Sequence, residues 1–286
     1  MTEAADPTEA AGSTAATTSA EAAGSTAATT SEEAAGVADT AASVVAALAE
    51  LADPARAVGA SRYFQGGPGQ YGEGDVFLGV SVPATRQVVK RFTGLPLPEI
   101  DLLLASLVHE HRLAALLILV ARFERAGTTR HRDDDARAAI AGFYLDAVRR
   151  GQVNNWDLVD SSAPAVLGGY LFDRPRGVLF ELAGSEMLWQ RRTAMIATLG
   201  FIARGDASTT LELAALLLDD TESLIHKAVG WTLREVGKRI DRALLLAVLD
   251  ENAGRMPRTA LSYATEHLDA GLRAHYQALP RPTDRT

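Results

Sequence analysis

Apolar positions recur at helical spacing along most of the chain, and alternation with a period of two is nearly absent. Leu95-Pro96-Leu97-Pro98 leads into an apolar segment at Ile100–Leu107, and His109–Arg125 carries the helical period over several turns. The same period predicts helices at Asp133–Arg150, Trp156–Leu171, Gly177–Ala183, Met187–Arg204, Thr209–Leu218, Leu224–Arg239, Arg242–Asn252 and Pro257–Leu268. Ser185 ahead of Glu186 and Thr221 ahead of Glu222 are N-cap candidates, because a hydroxyl there accepts from a free N–H of the first turn. Ala41–Leu51 is apolar enough to begin the first helix, and β-branched runs are short. The expected fold class is all-α.

A longer repeat underlies the helices. His111-Arg112-Leu113-Ala114, Arg191-Arg192-Thr193-Ala194, His226-Lys227-Ala228-Val229 and Pro257-Arg258-Thr259-Ala260 each set a cation near the start of an apolar helix. Arg112, Arg192, Lys227 and Arg258, with Trp156 between the first two, stand 44, 36, 35 and 31 residues apart. Helix-pair repeats of the HEAT kind have about this length, roughly 40 residues, and stack into a curved solenoid with one concave surface. Cations at one repeat position either line that surface for phosphate binding or stand as solvated helix-end charges. Periodicity does not separate the two.

The N-terminal stretch is different. Glu9–Ser19 recurs word for word as Glu21–Ser31, and a third copy begins at Glu33. Alanine, threonine, serine and acids without large apolar groups bury too little surface to offset chain entropy. Residues 1–40 are therefore expected to be a disordered acidic tail, 41–275 the folded helical-repeat domain, and 276–286 a flexible C-terminal tail. The net charge of −8 resides at the N-terminal end: residues 1–55 hold nine acids and no Lys or Arg, which leaves +1 for residues 56–286. Overall acidity thus does not exclude a nucleic-acid partner. The chain has no cysteine, which excludes disulfides, thiolate nucleophiles and cysteine-bound zinc. Its longest apolar run, Leu113–Ala121, is too short to span a bilayer, and the N-terminus shows no basic and apolar leader pattern. A cytoplasmic monomer without membrane association is expected.

Candidate chemistry is concentrated in one place. Gly67-Pro68-Gly69-Gln70-Tyr71-Gly72 spells a dinucleotide-binding fingerprint, but the strand, helix and later acid that give it meaning are missing, so it reads as a tight glycine-rich loop. His109 and His111 are two apart, which on a helix separates their faces, so a surface or repeat-packing role is expected rather than metal chelation. Trp156 and Asp160, four apart after Asn154-Asn155, share one helix face. Trp231 lies four residues after Lys227, and Gly230 before it permits close approach of a backbone or ligand. Trp189 is expected to be core.

Asn154-Asn155-Trp156-Asp157-Leu158-Val159-Asp160, followed by Ala163-Pro164 and Leu167-Gly168, resembles the signature of the AlkD-type DNA alkylation repair enzymes. Trp189-Gln190-Arg191-Arg192-Thr193-Ala194 and Lys227–Glu235 resemble that family's next two blocks in order and spacing, and Tyr63–Arg86 resembles a branch of it. The resemblance implies a HEAT-like glycosylase that removes cationic N3- or N7-alkylated purines from double-stranded DNA with no cofactor and no metal. It implies Asp160, Trp156 and Trp231 as the catalytic group and Arg192 as a DNA contact, joined by the neighbouring or repeat cations Arg191, Lys227, Arg112 and Arg258. Asp157 is expected to be a cap or surface acid, and Tyr63 and Tyr71 carry no assigned role. The same solenoid also suits a non-catalytic binder of damaged or branched DNA, or a protein-interaction scaffold.

Overall fold

The computed structural model describes residues 39–280, and these residues are helical throughout except for their connections and one isolated β-bridge. In chain order the helices are α1 (Ala41–Ala49), α2 (Pro54–Tyr63), α3 (Val82–Val89), α4 (Leu97–Leu104), α5 (His109–Ala126), α6 (Asp134–Arg149) and α7 (Trp156–Ala163). A π-helical stretch, Pro164–Gly168, carries α7 into α8 (Gly169–Leu171). Then follow α9 (Gly177–Ala183), α10 (Leu188–Ala197), α11 (Leu199–Ile202), α12 (Ser208–Leu216), α13 (Ser223–Arg239), α14 (Arg242–Asn252), α15 (Arg258–Ala264) and α16 (Ala270–Ala278).

The all-α, helical-repeat expectation holds. Helices α5, α7, α10, α13 and α15 pack successively on one another, and α4, α9, α12 and α14 back α5, α10 and α13. Burial of apolar positions drives that arrangement: Leu116, Ile118 and Leu119 on α5, Leu158 on α7, Ile196 on α10 and Leu233 on α13 are fully buried in one continuous core. Small residues set the tightest contacts. A Cβ at Gly168 would collide with the Ala197 carbonyl, and one at Gly200 with that of Pro164, so two ribs meet backbone to backbone. No helix among the described residues is long and apolar enough to cross a membrane.

Several boundaries differ from the sequence expectation, each for a local reason. Trp156–Leu171 is not a uniform helix, because Pro164 has no N–H to give and the ladder widens there to π spacing. Met187–Arg204 breaks at Thr198, whose hydroxyl donates back to the Met195 carbonyl at 2.7 Å. Helix α10 starts three residues beyond Ser185 and α13 two beyond Thr221: Ser185 accepts instead from Met187 N–H, and Asp220 rather than Thr221 takes the Glu222 N–H. Helix α2 escaped detection because none of its residues is fully buried, although Asp53 caps it and Pro54 opens it. Helix α16 runs to Ala278, so the C-terminal tail cannot begin at 276. The acidic repeats of residues 1–38 and the last six residues lie outside the described part.

Candidate active site

Helix α7 begins where Asn155 Oδ1 accepts the Trp156 N–H at 2.8 Å, which sets Trp156 and Asp160 one turn apart on the same face. Helix α10 then brings Arg192 across. Its Nε and Nη2 donate to the two oxygens of Asp160 at 3.0 and 2.7 Å, and its Nη1 donates to the Leu224 carbonyl at 2.6 Å. The pair is nearly enclosed, with the two side chains 15% and 5% exposed. Burial pushes the Asp160 carboxyl above its ordinary pKa, against the pull of the Arg192 guanidinium.

Above this pair opens a cavity of about 320 Å³ lined by Trp156, Asp160, Arg192, Lys227, Trp231 and Tyr263, with Tyr63, Gln65 and Tyr71 on the N-terminal side. Lys227 has no carboxylate partner among the described residues. Gly230 makes the far wall possible: a side chain there would strike the Ala260 carbonyl and Tyr263, so it is α15 that comes close. Two indoles, three phenols, one carboxylate and two cations thus converge in one concavity.

The glycine-rich loop forms the remaining wall, and the segment that holds it is His109-Glu110-His111-Arg112 at the start of α5. Glu110 accepts the backbone N–H groups of Leu78, Gly79 and Val80 at 3.0, 2.8 and 3.2 Å. Arg112 Nη2 donates to Asp75 Oδ1 at 2.6 Å, and His111 Nδ1 meets the Ser106 hydroxyl at 2.9 Å. Val76 and Val108 form the lone bridge. A buried carboxylate satisfying three backbone donors is a strong anchor for a segment with no ladder of its own. Tyr71 reaches from the loop to the edge of the buried Trp189 ring, with centroids 5.8 Å apart, and its phenol is pushed up by burial.

Two expectations require correction, and a third is narrowed. Arg112 is buried in the ion pair with Asp75 and is not a cation of the concave face. Of the two roles open to His109 and His111, the surface one is excluded, because both side chains are buried, and the packing one remains. Asp157 is buried too, with Oδ2 held by His109 Nε2 at 2.8 Å and Oδ1 accepting the Leu158 N–H. Of the other cations, Arg191 is committed to Asp220 and to the Ser185 and Glu186 carbonyls, while Arg258 is exposed and donates to the Gln277 carbonyl. Asp160, Trp156, Trp231, Arg192 and Lys227 come together; Arg191, Arg112 and Arg258 stand outside the cavity lining. Tyr63 and Tyr71, which carry no assigned role in the sequence reading, line the cavity, as does Tyr263, which the sequence did not single out. Tyr263 follows Arg258 by five residues, one more than separates Lys227 from Trp231, and that repeat position was its only signal.

A repeat of helix pairs with an acid–arginine couple under two indoles defines a helical-repeat protein with one chemically equipped cleft. The family model for DNA alkylation repair enzymes matches residues 44–268, and the chain belongs to that family. Its role is thus in DNA repair, with DNA as its substrate. The solved structure of a predicted DNA alkylation repair enzyme from Enterococcus faecalis superposes with a TM-score of 0.58 at 18% identity, over 77% of this chain and 97% of that one. That likeness concerns the fold. No curated protein matches the chain significantly.

Proposed function

We propose that the protein is a monofunctional DNA glycosylase that hydrolyses the N-glycosidic bond of cationic N3- or N7-alkylated purines in duplex DNA. The observation that carries this reading is the single cavity in which Asp160, locked by Arg192, faces Trp156 and Trp231. An N3- or N7-alkylated purine is already positively charged, so it leaves without a general acid. The bond from C1′ to the ring nitrogen breaks with its electron pair moving to the base, which neutralises the base and charges the sugar. A mostly enclosed carboxylate held in place by Arg192 stabilises that charge with little reorganisation. Two indole faces add cation–π attraction, about 0.5–2 kcal/mol each. Water then adds to C1′ and yields its proton to Asp160. Lys227 at the rim, with Arg258 on the next rib, contacts phosphates and sets register.

Incubation of the protein with methylated duplex should release 7-methylguanine or 3-methyladenine, and none from unmodified duplex. Asp160→Asn should bind the same duplex while losing on the order of 100-fold or more in single-turnover release, the cost of removing one preorganised charge. Equal release by the two proteins would overturn the assignment.

A further inference from the structure

The His109 ring stands between two carboxylates that belong to different parts of the chain. Nδ1 is 3.2 Å from Asp75 Oδ2, at the end of the glycine-rich loop, and Nε2 is 2.8 Å from Asp157 Oδ2, beside Trp156 on α7. Both carboxylates accept, so each needs an N–H, and only an imidazolium has two. A neutral ring would turn a lone pair toward one buried carboxylate. The surroundings favour the charged ring. Phe64 and Phe77, stacked on one another, both pack against it, with centroids 4.7 and 5.0 Å away, a cation–π setting. Phe64 is in turn stacked on Trp156 at 5.3 Å, and Tyr63 meets the same indole edge-on at 5.7 Å.

From this geometry we infer that His109 is a charged pin: its imidazolium docks the glycine-rich loop onto α7 and so holds Tyr63, Phe64 and Tyr71 against Trp156. His109 is not among the residues lining the Asp160 cavity, although it borders a neighbouring one of about 400 Å³, and it acts as a positioning residue. The inference deepens the glycosylase reading and rests on it for its catalytic consequence, but the docking itself does not.

The charged groups facing the ring are few. Asp75 comes from the loop and Asp157 from α7, while Arg112 on α5 opposes protonation yet is itself paired to Asp75. Asn155 also contributes a weak contact, Nδ2 to Asp75 at 3.4 Å. The balance raises the His109 pKa to about 9: burial opposes the charge, and the hydrogen bonds to Asp157 and Asp75 more than offset it. The pin is therefore closed at neutral pH and opens as the ring loses its proton above about pH 9.

The chain has no cysteine, so Pro68→Cys on the exposed loop gives one site for a nitroxide label. The spectrum should be immobilised at about pH 7.5 and become mobile through about pH 9; with His109→Gln added it should be mobile at both. Base release from 3-methyladenine duplex should fall about tenfold between pH 8 and pH 10, the change in imidazolium fraction for such a pKa. His109→Gln should be slower at pH 8 and flat across that range. If His109→Gln fails to fold, the pH response of the otherwise unaltered labelled chain remains decisive. An immobile label at every pH, or a His109→Gln protein with a normal alkaline limb, overturns the inference. A label immobile at about pH 7.5 and freed through about pH 9, with no base release at any pH, refutes the glycosylase reading and leaves the pin standing.

Discussion

Arg192 has two possible tasks, and its removal separates them. Read from its repeat position, it is a phosphate contact; its three donor groups instead close on Asp160 and the Leu224 carbonyl. In Arg192→Ala the carboxylate stays buried and loses its partner. Removing one member of a buried pair costs about 3–5 kcal/mol, so urea unfolding should shift by that order. Loss of an adjacent opposite charge also raises a carboxyl pKa by roughly 1–3 units. The active form of Asp160 is the carboxylate, so excision is present above its pKa and fades as pH falls through it. Burial already sets that pKa above the ordinary range. Arg192→Ala should therefore carry the acid limb of single-turnover release upward by one unit or more, toward neutral pH. A phosphate role predicts something else: an unmoved acid limb and a salt slope for DNA binding reduced by about one. Release measured from about pH 4.5 to 8, with binding by anisotropy at several salt concentrations, distinguishes them. An unchanged acid limb together with the smaller slope would refute the carboxylate-holding role.

Two further outcomes test the framework around the site. Gly230→Ala should lower stability by about 1–3 kcal/mol, since the methyl meets backbone on α15 rather than a yielding side-chain tip; a thermal melt unmoved by this change would contradict the α13–α15 contact. Glu110→Gln should cost about 2 kcal/mol in denaturant unfolding, because an amide oxygen replaces a charged acceptor of three backbone donors. Its effect should be visible as faster amide exchange at Leu78, Gly79 and Val80, and unchanged exchange there would count against the anchor.

Much of this molecule is legible in its amino-acid sequence. Helical periodicity identified the ribs from α5 to α15 because each buries a broad apolar face, whereas α2 buries none of its residues fully and left almost no periodic trace. Trp156 and Asp160 could be paired from their spacing alone, since i and i+4 share a helix face. Lys227 and Trp231 followed from the same rule. A sequence pattern reports which residues are near in the chain or share a face. It does not report which charge finds which countercharge.

That second question was decided by tertiary packing. The sequence by itself determined an all-α repeat, an acid and two indoles at related rib positions, and the family to which the chain belongs. Only the folded arrangement turned Arg112 inward to Asp75, closed Arg192 on Asp160, brought Tyr63 and Tyr71 to the rim, and buried His109 between two acids. The reason is energetic: a charge enclosed by a core must be matched by whatever group the long-range contacts bring, and those partners lie 32 to 48 residues away. Local periodicity has no information at that range.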